Sequence, residues 1–102
     1  GTDFNSIQFG GTTSSFPSLK RSTTTLESRL ADDSGYADLR ARRTQTGTVT
    51  VGALPAASTA LAGSIQAVSD ALAPAWGATV AAGGAAYALV NCNGSAWTVI
   101  GI

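Results

Sequence analysis

The alternation of apolar and polar positions predicts a chain of short β-strands separated by turns. Its clearest element spans residues 85–102, where two apolar runs flank the polar stretch at residues 91–95. Asn-Gly between two such runs is a strong hairpin signal, because the turns that match strand twist need a positive φ, which Asn and Gly adopt at low cost. We therefore expect a closing β-hairpin whose largest side chains are Tyr87 and Trp97.

Residues 1–19 are expected to form short extended pieces rather than a helix. Phe4, Ile7 and Phe9 have the spacing of a strand. Pro17 biases the residue before it toward an extended backbone, so no helix is expected to begin there.

The next segment, residues 20–30, is rich in Thr and alternates between apolar and polar positions. This pattern predicts one half-buried strand with Leu26 and Leu30 facing inward. Residues 32–35, Asp-Asp-Ser-Gly, have the composition of a turn. Periodicity does not decide between a helical turn and a short strand for residues 36–43, and we favour the extended form.

The second half of the chain continues the succession of strands and turns. Strands are predicted at residues 48–51 and 64–70, and a weaker strand is predicted at residues 78–82. A turn that holds Trp76 separates the last two. Ala and Leu in residues 53–63 favour a short helix, whereas Pro55 and the small polar residues favour a loop, so both alternatives stay open. We therefore expect an all-β fold with little or no helix.

The composition adds a reason for self-association. Hydrophobic residues make up 44% of the chain, but 19 of them are alanine. A core made mostly of Ala removes little area from water, and it scarcely offsets a backbone ordering cost of about 1–2 kcal/mol per residue. Cys92 is the only cysteine and no His is present, so an intrachain disulfide and the common metal frameworks are excluded. Oligomerisation remains as the means of stabilising a small domain.

Charge is concentrated in the first part of the chain. The formal net charge is zero, which gives no general attraction to nucleic acid or to a membrane surface. All six basic residues lie between Lys20 and Arg43, and Asp70 is the only charged residue after Arg43. A long uncharged surface favours burial against another chain. We therefore expect one face of the closing hairpin to pack Trp97 or Tyr87 within its own subunit and the other to lie against neighbouring chains.

No run of about 18 apolar residues occurs, so no membrane-spanning segment is expected.

Two stretches resemble parts of tailed-bacteriophage fibre proteins and their prophage relatives. Residues 7–41, IQFGGTTSSFPSLKRSTTTLESRLADDSGYADLRA, are similar to the segment that such fibres carry between shaft and tip. Residues 63–102 resemble the small strand-rich tip module, with a strand that ends in Val-Ser-Asp and a closing hairpin with Asn-Gly before a Trp. The resemblance implies an intertwined homotrimer with a fibre and trimerisation segment at residues 1–52 and a tip module at residues 53–102.

The function that this resemblance implies is structural. The chain would be a non-enzymatic virion protein, a trimeric tail-fibre segment that contacts other virion proteins and attaches to the host surface, with a cell-surface glycan as a candidate receptor. The alternative is a head fibre or capsid decoration protein that binds other virion proteins and recognises no receptor. A hydrolase acting on surface polysaccharide ranks last, because glycosidases use a facing pair of carboxylates, whereas the adjacent Asp32 and Asp33 point in different directions and no pocket-forming segment accompanies them. No cofactor is expected.

Three residues are candidates for receptor binding. Trp76 stands in a turn, where a flat aromatic ring can stack on a sugar. Asn91 and Asn93 lie in the expected hairpin loop, where exposed side-chain amides can form hydrogen bonds. Trp97 is favoured as a core residue, because an Ala-rich core has few other large side chains to fill it.

Charged residues are the candidates for contacts between subunits, and they comprise Arg29, Arg40, Arg42, Arg43, Asp32 and Asp33. The three arginines at 40–43 are the expected partners of Asp32, Asp33 and Asp38 of an adjacent chain. A nucleic-acid patch is less favoured, since acidic residues are interspersed among the basic ones. A cation site at the three aspartates is less favoured than a solvated turn in which Asp32 or Asp33 caps backbone amides.

Overall fold

A computed structural model describes residues 6–102. It divides the chain into two compact units, with the boundary between Arg43 and Thr44. Each unit contains one small β-sheet, and the only helices in the described part of the chain are two 3-10 turns, Val51–Ala53 and Thr59–Leu61. The predicted all-β fold is therefore confirmed. The boundary between the compact units lies ahead of residue 52, the end of the first segment that the resemblance implies.

The first unit is an antiparallel sheet of three strands in the order β1-β2-β3. Its strands are β1 (Ser6–Gln8), β2 (Pro17–Ser22) and β3 (Thr25–Leu30). Ile7 lies in β1 as predicted, whereas Phe4 lies outside the described residues. A Cβ on Gly10, which has a φ of 102°, would lie 2.6 Å from the Phe16 ring, so glycine lets this ring pack against the turn after β1.

The prediction of one strand over residues 20–30 is wrong, because the chain reverses at Thr23-Thr24. Ser22 pairs with Thr25 across this two-residue turn, and Thr23 has a φ of 50°. A β-branched residue seldom adopts a positive φ. The turn is therefore set by the pairing of β2 with β3 rather than by its own residues.

The prediction that Leu26 faces inward is also wrong for the single chain. Leu26 lies beside the turn, opposite Arg21, and is 70% exposed, whereas Leu30 is half-buried. Ser18 and Ala31 are the buried residues among residues 6–43. Ser18 Oγ lies 3.2 Å from the Arg29 carbonyl oxygen, to which it donates, so burial leaves the hydroxyl paired.

The second unit is a four-stranded sheet in the order β4-β5-β6-β7. Its strands are β4 (Thr48–Val49), β5 (Ile65–Ala71), β6 (Ala86–Cys92) and β7 (Trp97–Gly101). β4 pairs with β5 in parallel, and the other pairs are antiparallel. The strand predicted at residues 64–70 is confirmed as β5. The strand predicted at residues 48–51 is shorter, because the chain turns into a 3-10 helix at Val51.

The strand predicted at residues 78–82 does not form. Its residues lie along the edge of β7 that does not pair with β6. There the Val80 amide donates to the Trp97 carbonyl oxygen, and the Val99 amide donates to the Ala78 carbonyl oxygen. Only Thr79 forms a bridge, with Thr98. This short pairing covers the edge of β7 that a neighbouring strand would otherwise use.

The closing hairpin is confirmed as β6 and β7. Asn93 Oδ1 accepts hydrogen bonds from the amides of Ser95 and Ala96, both at 2.9 Å, and Gly94 has a φ of 97°. Asn91 lies within β6 and not in the turn, because the strand continues to Cys92, which pairs with Trp97. Among residues 6–102, no helix has the length and hydropathy of a membrane-spanning segment.

The core of the second unit lies on one side of its sheet. Buried side chains alternate along the strands, and they are Val68, Ala71, Ala88, Val90, Cys92, Trp97 and Val99. The side chains packed against them come mainly from residues 49–61, and they include Val51, Leu54, Ala57 and Leu61. Trp97 is 8% exposed and Tyr87 is 72% exposed, so Trp97 is the aromatic residue that fills the core.

Candidate interaction surfaces

The side of the second sheet that faces away from this core carries an apolar patch, with the polar residues Asn91 and Thr98 at one end of it. We call it the outer face and define it by Ile65, Ala67, Tyr87, Leu89 and Ile102. Strand pairing brings these side chains together: Ala67 lies opposite Leu89, and Leu89 lies opposite Gly101. A Cβ on Gly101 would lie 3.2 Å from Leu89 Cβ, so the missing side chain leaves room for Leu89.

Several of these side chains remain exposed in the single chain. Tyr87, Ile102, Ile65 and Leu89 have exposed fractions of 72%, 62%, 51% and 36%. Ala67, Tyr87, Leu89 and Ile102 line an open groove of about 370 Å³. Aromatic side chains measure about 150–250 Å² and aliphatic ones somewhat less, so the outer face exposes on the order of 400 Å² of apolar surface.

This arrangement departs from the usual chemistry of a sheet that is packed on one side. Such sheets place polar residues on the solvent side of each strand. Here β6 carries Tyr87 and Leu89 outward and only its third outward residue, Asn91, is polar, and no charged residue belongs to the outer face. The single charge of the second unit, Asp70, accepts a hydrogen bond from the Val51 amide at 2.7 Å.

The loop at residues 72–77 presents Trp76 to solvent. Trp76 is 68% exposed, as expected for a residue in this turn. The Gly77 amide donates a 2.8 Å hydrogen bond to the Val99 carbonyl oxygen, which fixes the loop to β7. Ala73 has a φ of 41°, an uncommon conformation for a residue with a Cβ. The indole ring is therefore carried by a short, anchored loop.

The two asparagines proposed with Trp76 lie elsewhere. Gly77 is bonded to Val99 in the middle of β7, and the residues after Gly77 run back toward Trp97, so Trp76 lies toward the Gly101 end, whereas Asn93 belongs to the turn before β7 begins. Trp76 and Asn93 therefore lie toward opposite ends of this strand. Asn91 is half-buried, and its Nδ2 donates to the Ser64 carbonyl oxygen at 3.3 Å. The structure does not bring the three candidates into one site.

In the first unit, Asp33 forms ion pairs within its own chain. Its carboxylate accepts hydrogen bonds from Lys20 Nζ at 2.5 Å and from Arg29 Nε at 2.8 Å. The Arg29 guanidinium also lies 4.6 Å from the centre of the Tyr36 ring, and the Tyr36 hydroxyl donates to Glu27. The hydrogen bonds from Lys20 and Arg29 hold the pKa of Asp33 below its usual value of 3.8.

Asp32 forms the predicted turn that caps a backbone amide. Its Oδ1 accepts hydrogen bonds from the hydroxyl of Ser34 at 2.6 Å and from the amide of Ser34 at 3.0 Å. These two bonds lower the pKa of Asp32. Within residues 6–102, no cluster of three potential metal ligands occurs.

The remaining charged candidates lie in the exposed segment that ends the first unit. Asp38, Arg40, Arg42 and Arg43 are exposed, and none of them forms an ion pair with another described residue. Their predicted ion pairs join two chains, and the structure describes one chain, so this pairing stays a prediction. For Asp33, however, Lys20 and Arg29 already supply the cations.

The other potential reactive groups are held in backbone hydrogen bonds. Ser18 lines a cavity of about 330 Å³ with Lys20 and Asp33, but its hydroxyl donates to carbonyl oxygens of β3. The Cys92 thiol is fully buried and lies 3.7 Å from the Ser58 carbonyl oxygen.

Comparisons with protein-family models, with curated proteins and with solved structures found no match for this chain.

Proposed function

We propose that this chain is a non-enzymatic structural protein of a phage virion, a tail-fibre segment that assembles as a homotrimer and contributes to attachment to the host surface. The outer face of the second sheet is the observation that carries the proposal. It is apolar, uncharged and open in the single chain. The virion and the threefold order come from the resemblance of residues 7–41 and 63–102 to fibre proteins.

The chemistry of the outer face suits a second copy of the same chain. In a cyclic trimer the outer face of each subunit lies against a neighbouring subunit. No charged residue on this face opposes such a contact, and burying apolar surface stabilises it. Each partner in a standard interface contributes about 800 Å², and about 65% of a homodimer interface is apolar. The apolar area of the outer face therefore supplies much of what one such contact needs.

Trp76 suits the attachment role in this proposal. An exposed indole ring on an anchored loop can stack on a sugar ring without first losing much conformational freedom. The loop at residues 72–77 belongs to neither the buried side nor the outer face of the sheet. Assembly through the outer face thus leaves Trp76 free to contact a host glycan.

Assembly is tested by sedimentation equilibrium of the full chain at micromolar concentration. We expect a trimer for the wild type and dissociation for Leu89→Lys, which places a charge in the middle of the outer face. Leu72→Lys is the matched control, because Leu72 is also exposed in the second unit but lies in the loop at residues 72–77. A wild-type monomer, or equal behaviour of the two variants, would contradict assembly through the outer face.

The place of the protein on the particle requires a separate experiment. Gold labelling of intact virions is expected to mark the tail fibres, and added protein is expected to compete with phage adsorption. Trp76→Ala should weaken this competition without changing the oligomer. Labelling of the capsid surface would instead support a head fibre or decoration protein without receptor recognition.

A further inference from the structure

The basic residues of this chain are distributed so that none lies in the second unit. Arg43 is both the last basic residue and the last residue of the first unit. We propose that the segment at residues 38–45 is a processing site for a trypsin-like protease, which cleaves after its arginines and releases the second unit intact. This proposal is independent of the proposed assembly and of any receptor.

The backbone of this segment is open to a protease. Every residue from 38 to 45 is exposed, and none of them lies in a helix or strand. The last backbone hydrogen bond before it joins the Ala37 amide to Ser28, and the first contact after it joins Thr46 Oγ1 to the Ala67 amide. Proteases bind their substrates as extended segments with unpaired backbone groups, which is why exposed linkers are nicked first.

The side chains of the segment match the specificity of such an enzyme. A trypsin-like protease binds the residue before the cleaved bond through an aspartate in its specificity pocket. Arg40, Arg42 and Arg43 are exposed, and within residues 6–102 none of them is held by an acidic partner. In the single chain, each guanidinium is therefore free to enter that pocket.

The other basic residues are less accessible. Lys20 and Arg21 lie in the central strand β2, and Arg29 lies in β3, where the backbone is paired with neighbouring strands. Arg29 and Lys20 are also bound to Asp33. Cleavage at these positions requires local unfolding of the first sheet, whereas cleavage in the linker does not.

Cleavage after Arg43 leaves the second unit complete. All four strands of its sheet and all seven residues of its buried core cluster lie after the cleaved bond. In the reaction, water adds across the peptide bond, which gives a carboxylate on Arg43 and an ammonium group on Thr44. The released unit contains no Lys or Arg, so the same protease cannot degrade it further.

The experiment is a time course of the native full chain with a low concentration of trypsin, followed by intact mass spectrometry. We expect the first cuts after Arg40, Arg42 and Arg43, and accumulation of the fragment 44–102. Replacing these three arginines with Gln should slow the first cleavage by about tenfold or more, since the remaining sites open only on local unfolding. Arg21→Gln is the control and should leave the initial rate unchanged.

Survival of the fragment does not by itself show that it is folded, because it has no trypsin site. Its thermal unfolding, measured by tryptophan fluorescence, should therefore match that of the second unit in the uncut chain. First cuts at Lys20, Arg21 or Arg29, resistance of the native chain, or an unfolded fragment would each overturn the proposal.

Discussion

The indole nitrogen of Trp97 donates a 2.8 Å hydrogen bond to the backbone carbonyl oxygen of Pro55. This bond joins the first residue of β7 to the connection between β4 and β5. The Trp97 ring is buried beneath the same connection, which also carries Leu54 and Leu61. Trp97 thus both fills the core and fixes the chain that covers it.

Replacing Trp97 with Ala is expected to lower the free energy of unfolding of the second unit by about 3–5 kcal/mol, as for other large buried aromatic residues. Trp76→Ala, at an exposed loop position, should change it by no more than about 0.5 kcal/mol. Urea unfolding followed by circular dichroism measures both values. Equal losses in the two variants would contradict the assignment of Trp97 to the core and Trp76 to the surface.

Trp97→Phe separates the hydrogen bond from the packing. Phe retains an aromatic ring but cannot donate a hydrogen bond to Pro55. We therefore expect Trp97→Phe to lower the free energy of unfolding by less than Trp97→Ala does, but by at least about 1 kcal/mol, the contribution of one hydrogen bond. Faster hydrogen exchange at the Leu61 amide, which is bonded to Ser58 in the same connection, should accompany it. Unchanged exchange at Leu61 would show that the hydrogen bond does not hold the connection.

Asp70 stabilises the beginning of the same connection. Its Oδ1 accepts a 2.7 Å hydrogen bond from the Val51 amide, which lies at the start of a 3-10 helix. Asp70→Ala leaves this amide without its partner, so we expect a loss of about 1–3 kcal/mol in urea unfolding followed by tryptophan fluorescence. Asp70→Asn keeps an acceptor oxygen and should lower the free energy of unfolding by less than Asp70→Ala does. Equal losses in the two variants would contradict the role of the hydrogen bond to the Val51 amide.

Local chemistry explains which turns could be predicted from the sequence. Asn93-Gly94 favours its turn through the positive φ of glycine and the side-chain acceptor of asparagine, and the hairpin follows from it. Thr23-Thr24 has neither property, so its turn depends on the pairing of β2 with β3. The segment at residues 78–82 likewise lies along β7 through contacts that its own sequence does not specify.

Among the candidate surfaces too, some features follow from the local sequence and others depend on contacts between distant segments. Tyr87, Ala88, Leu89 and Val90 are apolar at successive positions, which indicates a strand with apolar residues on both faces. This signal, with the lack of charge, predicts the outer face. Nothing in the spacing along the chain could show that Trp76 and Asn93 lie toward opposite ends of β7, because their separation depends on the bond between Gly77 and Val99.

Acid should destabilise the first unit through Asp33. Lys20 and Arg29 hold its folded-state pKa below 3.8, so its stabilising effect is complete above that pH and is lost as the pH falls further. We expect the amide NMR signals of Leu30 and Ala37 to report unfolding at a lower urea concentration below pH 3.8 than at pH 6. Asp32 contributes in the same direction, since its pKa is also lowered.

Asp33→Asn is the variant that isolates this effect, since Asn cannot be ionised and loses both ion pairs. It should be less stable than the wild type at pH 6 and should lose less stability on acidification. Asp38→Asn, at an exposed aspartate without an ion pair in the described chain, should follow the wild type at both pH values. The same acid sensitivity in Asp33→Asn as in the wild type would rule out the proposed cause.

Gly84 allows a close approach between two segments of the second unit. A Cβ at this position would lie 2.1 Å from the Ala71 carbonyl oxygen, so the backbone of β5 or of the segment before β6 must move to accommodate Ala. We expect Gly84→Ala to lower the free energy of unfolding by about 1–3 kcal/mol, as overpacking does elsewhere. Gly52→Ala is the matched control, because a Cβ there has no heavy atom within 4 Å and Gly52 does not have a positive φ. If urea unfolding showed no difference between the two variants, the close approach at Gly84 would not constrain the fold.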